Sequence, residues 1–141
     1  MSPQLYWQVH KLAFLLEKRA DESLKTQVGI GFAQYKVLEA VGRNALAKQN
    51  MIAELLDQTE ASISRQIKIL EKRQLIIVAT VMGNKRAREL TLTEEGDKLL
   101  KQCENLLDIS QAQLFGGLSY EEQSQFSELC GRMLDRARKN M

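Results

Sequence analysis

From Leu5 onward, apolar residues recur at three- and four-residue steps: Leu5, Val9, Leu12, Ala13, Leu16 and Ala20. That period places them on one face of a helix, with Ser2 and Pro3 as its start. The helix is predicted to run to about Thr26, and Gly29 and Gly31 break it. A second helix follows from Ala33 to Val41, carrying Val37, Leu38 and Val41, and stops near Gly42. Gln49 to Leu56 reads as a short helix on Ile52, Ala53, Leu55 and Leu56. Asp57-Gln58-Thr59 then offers a turn and an N-cap, and Glu60 suits a first helical turn. Ala61 to Arg73 reads as a longer helix with Ile63, Ile67 and Leu70 on one face. Ser62, Ser64, Arg65, Gln66 and Lys68 take most of the rest.

The period changes at Leu75. Leu75 to Val81 is rich in β-branched residues and too short to compete as a helix, so a strand is predicted. Gly83-Asn84 signals a turn. Arg88, Leu90 and Leu92 then alternate with Glu89 and Thr91, as a half-buried return strand does. A hairpin directly after a two-helix unit is a wing. Thr93-Glu94-Glu95 caps a further helix, whose Leu99, Leu100, Cys103, Leu106 and Leu107 keep helical spacing to about Gln113. Gly116-Gly117 interrupts it. Ser119 with Glu122 is a capping-box pattern, and it opens a last helix on Phe126, Leu129, Cys130, Met133 and Leu134. The expected fold class is mainly α with a small β-hairpin wing.

Composition narrows the function. The chain has 141 residues and 44% apolar content, ordinary for a globular protein, and its net charge of +2 is too small to announce a nucleic acid. The distribution says more: from Glu60 to Leu90 seven bases face three acids. Positive charge is thus gathered around the Ala61–Arg73 helix and the hairpin. No apolar run reaches the roughly 18 residues of a membrane span, and the first residues do not read as a signal peptide. A cytoplasmic location is the expectation.

Two helices joined by a short turn can present the second to a major groove, which is wide enough to admit a helix. One face must then be core and the other short polar or basic groups. Ser62, Ser64, Arg65, Gln66 and Lys68 meet that requirement: serine can donate to phosphate or base edges, arginine can fork onto guanine, and glutamine can pair with adenine. The wing residues Asn84, Lys85, Arg86 and Arg88 place cations where a hairpin reaches a minor groove or the backbone. A basic amphipathic helix is in general only a solvated face, and the same head can dock a protein instead. The wing and the local charge favour double-stranded DNA.

The segments QTEASISRQIKILEKRQLI (Gln58–Ile76) and NKRARELTLTEEGDKLL (Asn84–Leu100) resemble the MarR family, the multiple antibiotic resistance regulators. FAQYKVLEAVG and NMIAELLDQ resemble the helices before the reading head, and the order of elements covers essentially the whole chain. The resemblance implies one domain over residues 1–141, with dimerisation helices at about 1–28 and 97–141. A winged helix-turn-helix lobe lies between, at about 32–96. It implies a homodimeric transcriptional regulator gripping a pseudo-palindromic site, a repressor or, less often, an activator, with a small effector as the signal that relieves repression. Its recognition contacts fall on Ser62, Ser64, Arg65 and Gln66, and its minor-groove arginine on Arg86. This chain departs from the pattern at Gln74, where the family has Gly, at Val78, where it has Arg, and at Asn84, where it has Asp.

Catalysis lacks its parts: there is no Ser/His/acid set, no phosphate-cradling glycine loop and no clustered carboxylates. The chain reads as a non-enzyme with no cofactor. His10, the only histidine, has no ligand-spaced neighbour, so no metal site is expected. Cys103 and Cys130 lie on apolar faces, where thiols pack as small hydrophobes; a thiol-based redox sensor is the alternative. Tyr6, Trp7, Phe14, Phe32 and Tyr35 all precede the reading head. They read first as core and dimer packing. By the resemblance, His10, Phe14, Arg19, Phe32 and Tyr35 are candidates to hold a small aromatic or anionic effector, with Arg19, Lys18 or His10 as charge partner.

Overall fold

The computed structural model describes residues 3–81 and 84–140, and only the backbone of 81 and 84–87. Among them are six helices and three strands: α1 (Pro3–Val28), α2 (Phe32–Arg43), β1 (Ala47–Lys48), α3 (Gln49–Leu55), α4 (Glu60–Lys72), β2 (Ile76–Val81), β3 (Asn84–Leu92), α5 (Glu94–Phe115) and α6 (Tyr120–Lys139). Every helix and both long strands expected from the pattern are present. Ser2 and Gly83, invoked for the first helix start and the hairpin turn, lie outside the described residues.

The chain packs as two compact units, Met1–Leu107 and Asp108–Met141. The first holds the core. Leu24, Leu38, Ile52, Ile63, Leu70 and Leu90 are fully buried there, from five helices and strands distant in sequence, and Leu100, Cys103 and Leu107 of α5 join them. The first half of α5 is therefore part of this core. Each fully buried aliphatic side chain stabilises by about 1.5–3 kcal/mol, which outweighs helix propensity differences of under about 1 kcal/mol per residue.

The sheet is three-stranded and antiparallel in the order β1-β3-β2, so the wing is more than a hairpin. Ala47 pairs with Leu90 and Lys48 with Glu89. On the other side Ile76 meets Leu92, Val78 meets Leu90 and Thr80 meets Arg88, before the register shifts between Thr80 and Val81. Ile76, Val78, Leu90 and Leu92 thus share the inward face. Val78 packs on the core there, which accounts for an apolar residue at this departure from the family pattern.

The second unit is built differently. Ser119 Oγ accepts from Glu122 N at 3.1 Å and Glu122 Oε1 accepts from Ser119 N at 2.8 Å, the capping box read from the sequence. That bond to the Ser119 N–H lowers the Glu122 carboxyl below its ordinary range. Gln123 Nε2 ties the start of α6 to the carbonyls of Phe115 and Leu118, at 3.0 and 3.1 Å. Yet α6 buries none of its residues.

Candidate nucleic-acid interface

Helix α4 is held by its cap, its core face and its exit. Thr59 caps the start, its side chain accepting from Ser62 N at 3.1 Å. Ile63, Ile67 and Leu70 anchor one side in the core. At the exit, Gln74 N–H donates to Glu71 O at 2.9 Å and Leu75 N–H to Leu70 O at 3.0 Å, the paired bonds of a Schellman turn. That turn requires a left-handed residue, and Gln74 has φ 60°. The family's glycine at this position has a plain cause, and this chain fills it with a strained side chain.

The LTEEG segment locks the wing stem to that exit. Thr93 N–H donates to Leu75 O at 3.0 Å, and its hydroxyl donates to Gln74 O at 2.7 Å. The same Thr93 Oγ1 accepts from Gly96 N at 2.9 Å, capping α5. A Cβ on Gly96 would lie 2.0 Å from Leu75 O, so only glycine permits this approach. This segment is thus a knot between reading helix, strand and α5.

With the core side pinned, the opposite face of α4 carries Ala61, Arg65, Lys68 and Lys72, all exposed, at four-three-four spacing. No ion pair engages these three cations among the described residues. Arg65 and Lys68 were expected on this face; Ala61 and Lys72 were not singled out, though the same spacing contains them. An alanine methyl beside cations suits a thymine methyl, and Lys72 suits phosphate.

The polar flanks are more committed than their residue types suggest. Ser62 Oγ donates to Gln58 Oε1 at 3.0 Å, which leaves its oxygen as an acceptor. Ser64 is half-buried between core and exposed face. Gln66, also half-buried, accepts at Oε1 from Gln34 Nε2 of α2. Arg73 is spent internally, donating from Nη1 to Gly29 O at 2.8 Å. On β3, Arg88 is exposed and pairs across to Thr80. Asn84 opens β3 opposite Val81; its side chain and those of Lys85 and Arg86 lie outside the described residues.

The turn between α1 and α2 supports this head. Asp21 Oδ1 accepts from Phe32 N at 2.9 Å and Asp21 pairs with Lys25 at 2.9 Å. The bond to the Phe32 N–H, reinforced by Lys25, holds the Asp21 carboxyl below its usual range. A Cβ on Gly31 would meet Asp21 Oδ1 and Gln34 Oε1, each at 2.9 Å, so this glycine makes room for two oxygens that cap the helix.

The five effector candidates fall into separate groups. His10 is exposed and stacks on Tyr6 at 6.4 Å, edge-on to Trp7 at 5.8 Å. Phe14 and Arg19 are exposed on α1. Phe32 and Tyr35 stack at 5.8 Å, with Lys36 Nζ 5.4 Å from the Phe32 ring centre. Among the described residues no ring contact or hydrogen bond joins the α1 group to the α2 group. The cation placed against the Phe32 ring is Lys36. Burial, with Glu39 nearby, pushes the Tyr35 hydroxyl far up. Burial likewise pushes the Cys103 thiol up to about 11, so it is not a thiolate at neutral pH. No group of three or more His, Cys, Asp or Glu among the described residues is placed to hold a metal. None of their helices is long and apolar enough to cross a membrane.

A reading helix pinned behind a short turn, beside a strand pair knotted to its exit, defines a winged helix-turn-helix protein. No family model matches the chain. In structure it superposes on a MarR/EmrR family transcriptional regulator from Acinetobacter sp. ADP1 with TM-score 0.84, at 21% identity over 96% of each chain. The transcriptional regulator SlyA gives TM-score 0.84 at 24% identity, over 96% of this chain and 95% of that one. An S. aureus MepR–DNA complex gives 0.80 at 24%, over 96% and 98%. In sequence the chain is 29% identical to the transcriptional regulator HosA of Escherichia coli over 102 residues, 72% of this chain and 76% of that one. In fold and in the order of its elements, the chain matches these winged helix-turn-helix structures of MarR-type regulators.

Proposed function

We propose that this chain is a sequence-specific, double-stranded-DNA-binding transcriptional regulator acting as a homodimer, with no catalytic step. The observation that carries the reading is the outward face of α4. Arg65, Lys68 and Lys72 stand exposed beside Ala61, while Ile63, Ile67 and Leu70 fix the helix from behind. Cations without an ion-pair partner among the described residues, on a helix fixed from behind, suit an anionic groove. A MepR–DNA complex among the structural relatives supports the same use. Homodimerisation is supported by bare apolar residues: Leu5, Trp7, Val9 and Phe14 on α1, and Phe126, Leu129, Met133 and Leu134 on α6. Two heads then meet half-sites about 34–36 Å apart. Repression is the sign we assign, relieved by a small anionic aromatic near the Phe32–Tyr35 stack and Lys36; a ligand-induced thermal shift lost in Lys36→Ala tests that part.

The decisive experiment is selection of genomic duplex fragments by the purified protein, followed by titration of the selected site at several salt concentrations. Arg65→Ala is expected to cost about 1–3 kcal/mol and to relax base preference at one step. Lys68→Ala is expected to weaken all sequences alike and reduce the salt slope by about 1. Absence of salt-steep binding to any duplex overturns the reading in favour of a protein-docking winged helix.

A further inference from the structure

The polar groups of α4 are not equally free to choose what they bind. Gly31 N–H can only donate, and it donates to Gln34 Oε1 at 2.6 Å. With its oxygen turned to that donor, Gln34 directs its Nε2 the other way, where it donates to Gln66 Oε1. A backbone N–H on the α1–α2 turn thus sets the direction of two successive amides. Gln66 has its oxygen engaged and its NH2 remaining. Among the described residues no buried side-chain nitrogen or oxygen lacks a partner, so the Nε2 of half-buried Gln66 reaches solvent. Pairing with adenine uses both halves of a glutamine amide, the oxygen for N6–H and the nitrogen for N7. Gln66 offers one of the two.

We propose that Gln34 is a specificity-determining residue, which by engaging Gln66 Oε1 makes Gln66 a donor-only reader that selects guanine over adenine at its base step. Guanine presents N7 and O6, both acceptors, whereas adenine sets an N6 donor against the donor of Gln66. Gln34 itself touches no base; it acts by positioning Gln66. The inference rests on the DNA-binding reading above and deepens it.

The test is the base profile selected from a random duplex library by the full-length protein and its variants. Gln66→Ala locates the step, as the position whose preference it erases. There the unaltered protein is expected to favour guanine over adenine about fivefold or more. Gln34→Glu keeps the bond to Gly31 N–H, since glutamate serves equally at this capping position. Its carboxylate can only accept, so Gln66 must turn its NH2 inward and its oxygen outward. Guanine preference at that step is expected to give way to adenine or cytosine, whose exocyclic amines donate. The added charge weakens all sequences alike and leaves other steps unchanged. Gln34→Met, which holds neither end of the amide, is expected to bring adenine up towards guanine. Adenine preferred by the unaltered protein, a Gln66→Ala profile without change, or a Gln34→Glu profile unchanged at that step each overturns the inference while leaving DNA binding intact. Selection of no sequence at all overturns both.

Discussion

Helices α4 and α6 start from similar sequences and end in opposite situations. Both open on a side-chain cap, Thr59 in one and Ser119 in the other, and both carry apolar residues at helical spacing. In α4 that stripe, Ile63, Ile67 and Leu70, is buried to 2% exposure or less. In α6, Leu129 is 53% and Met133 59% exposed, and no residue is buried. An amphipathic period states that a face must be covered. It does not state whether the covering surface belongs to the same chain. The head solves the problem internally; under the proposed homodimer, a second copy of the chain covers the stripe of α6.

The largest expected effect tests that difference directly. Leu129→Glu combined with Met133→Glu sets charges on the α6 stripe. If the stripe is the dimer interface, association weakens by about 3 kcal/mol or more, the cost of buried unpaired charge. Sedimentation should then report monomers with an intact head; an unchanged dimer assigns the stripe some other role. The matching test of the head is Gly96→Ala. Its methyl group has no room beside Leu75 O, and overpacking of this kind costs about 1–3 kcal/mol. Urea unfolding measures the loss, and a neutral result would show that the knot among Thr93, Gln74 and Leu75 can shift.

Asp21 should give a smaller effect with a pH signature. Its folded carboxyl is depressed by the Phe32 N–H and Lys25, so its contribution is full above the ordinary carboxylate range. That contribution fades as the pH falls through the lowered folded value. Asp21→Ala is expected to cost about 1 kcal/mol at neutral pH, as loss of a helix cap does, and to flatten the acid side of the stability curve. A parallel acid limb in the variant would remove Asp21 from that role. The smallest effect has the opposite sign. Gln74→Gly relieves a left-handed side chain and should stabilise by about 0.5–1 kcal/mol in thermal melts, with DNA affinity unchanged.

Gln74 also marks how far a sequence can be read. Its departure from the family's glycine is visible in one line of text, but the reason, a Schellman turn at the exit of α4, is a property of the backbone. The caps at Thr59 and Ser119, the core faces of α2 and α4, the β-branched run of β2 and the alternation of β3 were legible because each is set within a few residues. β1 was not. Ala47–Lys48 is too short to show a period, and it is a strand only because β3 lies beside it. The α4 face was half legible: Arg65 and Lys68 stood out, while Ala61 and Lys72 emerged once the buried side was known.

What the sequence determined unaided is whatever a turn of helix or a pair of strands settles locally: element types, caps, the core faces and the concentration of positive charge. What the tertiary structure alone decided is how shared polar groups are spent. Gln66 meets a residue 32 positions away, Arg73 a carbonyl 44 away, and Thr93 a carbonyl 19 away. An amide or hydroxyl carries both donor and acceptor capacity. Which half faces outward depends on the partner that folding brings to the other half, and no local pattern encodes that partner.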